Sequence, residues 1–185
     1  DTVDECISET GERIDAVVLN KLGKLTADLF IDCSGARSLL LGKTLNVPFK
    51  KVDDVLFNDR ALAMQVPYET EDAPVACHTI ASAQNAGWIW DIGLTSRRGV
   101  GHVYSSKFLS DEEAEQNLRN YLGDAANGLE ARKISFEPGH REQWWKGNCV
   151  AVGMAAGFVE PLEATAIMLV ELSARYIAEN LPADE

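Results

Sequence analysis

No apolar run in these 185 residues approaches the roughly 18 needed to cross a bilayer, so no membrane-spanning helix is expected. Basic residues are scarce: 17 Lys and Arg against 29 Asp and Glu give a formal net charge of −12. That balance argues against nucleic acid or an anionic membrane as partner. The acidic residues form no long block and read as a solvated surface. Cys6, Cys33, Cys77 and Cys149 show no Cys-x-x-Cys or Cys/His spacing, and the three histidines are scattered, so no metal site is expected. The thiols read as reduced and buried in a cytoplasmic protein. Gly-x-Gly-x-x-Gly, a Gly-rich phosphate loop, internal repeats and low-complexity tracts are all missing. Asp1-Thr2-Val3-Asp4-Glu5 carries no initiator Met, basic n-region or apolar h-region, and reads as an interior cut.

What remains is an ordinary globular composition, 46% apolar and 25% charged, long enough for one domain with its own core. Residues 14–19 and 25–31 are β-rich and flank a short Gly-containing turn, which predicts a hairpin. Residues 38–43 suggest a short helical turn. Residues 61–67, 76–82, 88–94 and 101–105 are strand candidates separated by turn signals, and suggest an antiparallel sheet. Ser110 with Glu113 forms a capping box that predicts a helix to about Leu122, ended by Gly123. Further strands are predicted over 132–136 and 148–152. A last helix is predicted from Pro161 to about Asn180, with Leu162, Ala166, Leu169, Ser173, Ile177 and Leu181 as its buried stripe. Glu171, Arg175 and Glu179 share the other face at i,i+4 spacing. The expected fold class is α+β, with a mixed or antiparallel sheet and flanking helices.

Three segments carry chemistry. In Phe30-Ile31-Asp32-Cys33-Ser34-Gly35-Ala36-Arg37-Ser38 a strand ends in Asp and small residues. It reads either as a strand-to-helix turn with a capping Ser, or as a turn facing a dinucleotide across the carboxyl ends of a sheet. Gly87-Trp88-Ile89-Trp90-Asp91-Ile92-Gly93 puts two indoles on one face of a strand, as core packing or as a rigid wall inside an active site. From Gly153 to Ala166 a strand runs into a small-residue turn, and Pro161 then opens a helix with Glu160 and Glu163 near its start. Small residues admit a flat ligand, and free amides at a helix start attract an anion. The amides of Thr165 and Ala166, with the Thr165 hydroxyl, are the candidate anion donors. Trp144-Trp145-Lys146-Gly147 reads as a packing hinge.

Taken in order, the three segments resemble the flavin-dependent (tryptophan) halogenases, within the flavin monooxygenase-like folds. Trp88-Ile89-Trp90-Asp91-Ile92 is similar to the family's Trp-x-Trp-x-Ile-Pro signature, and Asn148 to Ala166 to its Gly…Phe-x-Glu-Pro-Leu-Glu-Ser-Thr-Gly segment. The resemblance spans about Ala27 to Pro182. It implies FAD, reduced by a separate and transiently bound flavin reductase, and a halide that becomes an electrophilic oxidant for a small aromatic substrate such as tryptophan. It also implies Gly153, Ala156, Gly157 and Pro161 against the cofactor, Thr165 and Ala166 at the halide, and Glu163 as the active-site carboxylate. Trp88 and Trp90 would keep substrate and flavin apart. Residues 1–47 and 148–185 would belong to the FAD-binding domain and 48–147 to an antiparallel substrate-side sheet. A homodimer is an allowed assembly. The family's Gly-rich fingerprint, its catalytic Lys and its C-terminal helical part have no counterpart here, which implies an internal piece that is inactive alone. Gly93 stands in place of the signature Pro and would loosen that strand end. Ala164 replaces Ser and Ala166 replaces Gly. A methyl group at Ala166 would clash if that position were left-handed. A flavin hydroxylase and a non-catalytic β-rich binding domain are the alternatives.

Overall fold

The computed structural model describes residues 2–181, apart from the side chain of Glu163. Its strands are β1 (Val3–Ile7), β2 (Ala16–Leu19), β3 (Gly23–Leu25), β4 (Phe30–Asp32), β5 (Phe49–Lys51), β6 (Arg60–Pro67), β7 (Ile80–Gln84), β8 (Gly87–Gly93) and β9 (Arg97–Tyr104). After helix α1 (Asp111–Leu122) come β10 (Arg132–Ser135), β11 (Gly139–Arg141), β12 (Trp145–Lys146), β13 (Cys149–Ala151), β14 (Gly157–Phe158) and helix α2 (Thr165–Glu179). The chain divides into two units: Asp53–Glu137, and the residues up to Val52 together with those from Pro138. The mixture of antiparallel sheets, one parallel pair and single helices is α+β.

The Asp53–Glu137 unit is a five-stranded antiparallel sheet in the order β10-β6-β9-β8-β7. Alternation along its strands sends Leu62, Met64, Val66, Ile89 and Val100 to one face, where Ala114, Leu118 and Leu122 of α1 cover them. Those helix positions recur every four residues, which puts them on one stripe. The capping box forms: Glu113 N–H donates to Ser110 Oγ at 3.2 Å, and Ser110 N–H donates to Glu113 Oε2 at 3.1 Å. Polar groups are buried in this unit too, Asp91 and His102 among them. Asp91 pairs with Arg98 at 2.8 Å and accepts from the Tyr121 hydroxyl at 3.3 Å. His102 is fully buried, and its Nδ1–H donates to the Ala114 carbonyl at 3.1 Å.

The other unit holds three small sheets: β1-β2-β3, β14-β11-β5 and β12-β13-β4. Ile14, Leu41, Leu45, Val47, Cys149, Ala151 and Ala155 form its core. The Asn148 side chain staples it, accepting from Ile14 N–H at 2.8 Å and donating to Ile14 O at 2.9 Å.

Several expectations need correction. The strand expected over 25–31 is two strands: β3 pairs with β2, whereas β4 leaves the hairpin and pairs in parallel with β13. The last helix starts at Thr165 rather than Pro161. A 3₁₀ turn, Leu162–Ala164, precedes it, and Ala164 is left-handed at φ +53°, which breaks the helical run. Of the expected buried stripe only Ile177 is buried, against Val150 and Val152. Leu162, Leu169 and Leu181 are exposed, and Ala166, Leu169 and Ser173 border an open cavity. Arg175 does pair with Glu179, at 2.7 Å. Residues 48–52 and 138–147 fall in the same compact unit as the terminal segments, since β11 pairs with β14 as well as β5, and β12 pairs with β13. Cys33 and Cys77 are exposed rather than buried; Cys149 is buried, and all four thiols are free. At Gly93 a Cβ would fall 2.9 Å from Ala76 O and from Val75 Cγ1, so the packing there leaves little room for a side chain. No described helix is long and apolar enough to cross a membrane.

Candidate functional site

The parallel pair β4/β13 brings the first and third motifs together. Ala151 stands opposite Asp32, and Val152 N–H continues the ladder to Asp32 O at 3.0 Å. Each strand then ends in a 3₁₀ turn, Gly35–Arg37 after β4 and Gly153–Ala155 after β13, and these turns lie side by side. Gly35 and Gly153 are both left-handed, at φ +70° and +66°, a conformation that favours glycine.

The Asp32 carboxylate holds the first turn in shape. It is fully buried. Oδ1 accepts from Ser34 N–H at 3.0 Å and Ser34 Oγ at 2.5 Å. Oδ2 accepts from Leu41 N–H at 2.9 Å, Leu40 N–H at 3.1 Å and Ser38 Oγ at 3.3 Å. The same charge reaches Cys149. Burial first, and Asp32 second, push that thiol up to about 12, so it is inert as a nucleophile.

The second turn leads into β14, which is clamped by β11. Arg141 N–H donates to Ala156 O at 2.7 Å, and Gly157 pairs with His140. A Cβ on Gly157 would fall 2.5 Å from Gly139 O, so strand packing itself demands glycine there. The Arg141 guanidinium lies 5.3 Å from the centre of the Phe49 ring, donates to Val47 O at 3.0 Å, and packs where a Cβ on Gly42 would sit. Sequence reasoning missed Arg141; the only signal was a cation just ahead of the Trp-Trp pair.

Past β14, Pro161 leads into the 3₁₀ turn, whose backbone carries Glu163; the Glu163 side chain lies outside the described part of the structure. Both Thr165 donors turn to one acceptor: its N–H and its Oγ1 each donate to Leu162 O, the latter at 3.0 Å. Ala166 lies in the first turn of α2, where a helix has no acceptor of its own for its amides. The left-handed residue here is Ala164, so the Ala166 methyl meets no such strain.

A cavity of about 1140 Å³ opens between this segment and α2. Gly153, Ala156, Gly157 and Ala166 line it, whereas Pro161 and Thr165 do not. Its far wall includes His140 and the exposed Trp144, whose rings meet edge-on at 6.3 Å; this pair borders open space instead of forming the expected packing hinge. Among the described residues, no group of three or more His, Cys, Asp or Glu is placed to hold a metal ion.

Trp88 and Trp90 belong to the other unit. They lie on the sheet face opposite α1, half-buried, with ring centres 6.2 Å apart in an edge-on arrangement. They are therefore outside that unit's helix-covered core.

Known proteins match nearly the whole length of this chain. A 7-chloro-L-tryptophan 6-halogenase of Kutzneria sp. (strain 744) is 43% identical over 183 residues, covering 99% of this chain and 35% of that protein. The crystal structure of a tryptophan halogenase from Shewanella frigidimarina NCIMB 400 superposes with a TM-score of 0.92 at 50% identity, covering 98% of this chain and 35% of the other. A flavin-dependent halogenase from Brevundimonas sp. BAL3 gives 0.89 at 37% identity, covering 97% and 36%. The chain thus spans about a third of the length of these relatives. The sequence profile described as tryptophan halogenase matches residues 1–185. With that match over the whole chain, and with the paired turns of β4 and β13 in place, this chain belongs to the tryptophan halogenase family.

Proposed function

We propose that this chain is the flavin-side and halide-side part of a flavin-dependent halogenase acting on an aromatic substrate such as tryptophan. One observation carries the reading. Two small-residue turns, far apart in sequence, stand together at the carboxyl ends of the parallel β4/β13 pair, where open α/β sheets take their cofactors. The residues present suit a flavin. Left-handed Gly153 keeps a side chain off the turn, and the cavity beside it is mostly apolar and roomy enough for a flat ring system.

In this reading residues 1–47 and 148–185 help to hold FAD, with Gly153, Ala156 and Gly157 against the ring and Pro161 turning the chain away. Bound FAD, once reduced, supplies with oxygen the two-electron oxidation that turns halide into an electrophilic halogen donor. The Ala166 amide, at the positive end of α2, holds the halide; Thr165 joins it only by releasing Leu162 O. Glu163 orients the electrophile and accepts the proton that the ring carbon sheds. Of residues 48–147, the Asp53–Glu137 sheet is assigned to the substrate side, with Trp88 and Trp90 given the role of keeping substrate from the flavin. A separate flavin reductase in the cytoplasm supplies reduced FAD, and assembly as a homodimer is compatible with these roles.

The test uses the protein that carries this chain, with a flavin reductase, FAD, oxygen, bromide and L-tryptophan. The expected product shows the bromine isotope doublet. Glu163→Gln lowers its formation about a hundredfold, with FAD affinity unchanged. A product heavier by one oxygen, with no halogen pattern, would replace this reading with the hydroxylase.

A further inference from the structure

Asn127-Gly128 is the one Asn-Gly pair in the sequence. It follows the 3₁₀ turn Gly123–Ala126 at the end of α1, and both residues are exposed. Asn127 sits at φ −64° and ψ 127°, Gly128 at φ +75°, and Leu129 N–H donates to Ala126 O at 3.2 Å. These angles and that bond make residues 126–129 a type II turn, whose third position calls for glycine. Asn127 N–H donates to Asp124 O at 3.0 Å. Neither the Asn127 side chain nor the Gly128 N–H has a hydrogen-bond partner among the described residues.

One side chain braces the turn at both ends. Arg119 donates from Nη1 to Ala126 O and from Nη2 to Leu129 O, each at 3.0 Å. Its Nε–H donates to Glu115 Oε1 at 2.9 Å, which fixes the guanidinium on α1. The planar fork therefore fits a turn whose two end carbonyls stand in this relation to each other. Ala126 and Leu129 also pack against the helix-covered core.

An Asn-Gly pair can close a five-membered imide, because glycine leaves the attacking nitrogen unhindered. Closure requires rotation about ψ of Asn127, which swings the Gly128 nitrogen beneath Cβ. At ψ 127° that nitrogen is turned well away from Cβ. The rotation would break the turn and pull Leu129 O from the fork that still holds Ala126 O.

We propose that Asn127 is a site of deamidation whose rate Arg119 sets by holding the turn. Base takes the Gly128 amide proton, and the nitrogen attacks Asn127 Cγ. The bond from Cγ to the side-chain nitrogen breaks, and that nitrogen takes up a proton and leaves as ammonia. Water then opens the imide at either carbonyl and leaves aspartate or isoaspartate. Either product adds negative charge, and isoaspartate also lengthens the backbone between two residues of the core. The site goes beyond the flavin reading and does not depend on it.

The protein that carries this chain is incubated in mildly alkaline buffer, and peptide mass mapping reads aspartate and isoaspartate at residue 127. Unfolding in guanidinium chloride raises the rate about a hundredfold over the folded protein. Arg119→Gln, measured folded, raises it about tenfold. Arg119→Lys keeps the charge, loses the fork and falls between the two. Should neither variant fold, the folded and unfolded wild-type rates remain decisive. Equal rates in folded and unfolded protein, a rate unchanged in Arg119→Gln, or reaction at other asparagines of the unfolded chain ahead of Asn127 would each overturn the proposal.

Discussion

Asp32→Asn tests whether one carboxylate shapes the turn after β4, the floor of the proposed flavin site. The native group accepts five hydrogen bonds in a fully buried position, two at Oδ1 and three at Oδ2. An amide replaces one acceptor oxygen with a donor. The less costly orientation keeps the oxygen toward Leu40 and Leu41 and turns the NH₂ toward Ser34. Ser34 Oγ can then rotate to accept, but Ser34 N–H loses its partner. A buried amide left unpaired costs about 1–3 kcal/mol. The Leu40 and Leu41 bonds also lose their charge assistance, at about 1 kcal/mol each. The sum is about 3–5 kcal/mol, which is on the order of a hundred- to several-thousand-fold in the local opening equilibrium. Native-state hydrogen exchange reads this directly at the Leu40 and Leu41 amides. Acceleration of that size is expected there, together with weaker FAD binding. Exchange unchanged within about threefold would refute the idea that Asp32 holds the turn.

Other substitutions probe single features. Gly101→Ala drives a methyl group into the Trp90 ring and into Leu62 O, 2.6 Å away, and should cost about 1–3 kcal/mol in urea unfolding while red-shifting tryptophan emission. Ala164→Gly relieves a left-handed alanine and should stabilise by about 1 kcal/mol in thermal unfolding; a loss would show that the helix does not start there. Burial pushes the pKa of His102 down, so below about pH 6.5 the unfolded chain binds a proton that the folded chain refuses. Stability therefore falls as pH drops through that point, by at most about 1.4 kcal/mol per pH unit, and His102→Gln should remove that part of the slope between pH 7 and 5.

The antiparallel unit was legible because its signals are local. Alternation along β8 already sorts Ile89 and Asp91 from Trp88 and Trp90, and the Ser110/Glu113 pair marks the start of α1. The β4/β13 pairing was not legible. Parallel partners are joined by no turn, and β4 follows closely on a hairpin whose period it shares. The 3.6-residue spacing of α2 marks an apolar face but not what covers it, so its stripe was read as buried when most of it borders a cavity. The small-residue motif was found, yet its parts divide in a way sequence cannot show: Gly157 answers to β11, and Gly153 to its own backbone angle. Left-handed geometry falls on Ala164, a residue whose identity gives no hint of it.

The central claim is that the turns after β4 and β13 hold the flavin together. Hydrogen exchange of the protein that carries this chain, with and without saturating FAD, tests it most directly. The account predicts slowed exchange at the amides of residues 33–37 and of residues 153–157, at the same FAD concentration. Protection confined to either turn alone, or found only in the β7–β9 sheet, would contradict it.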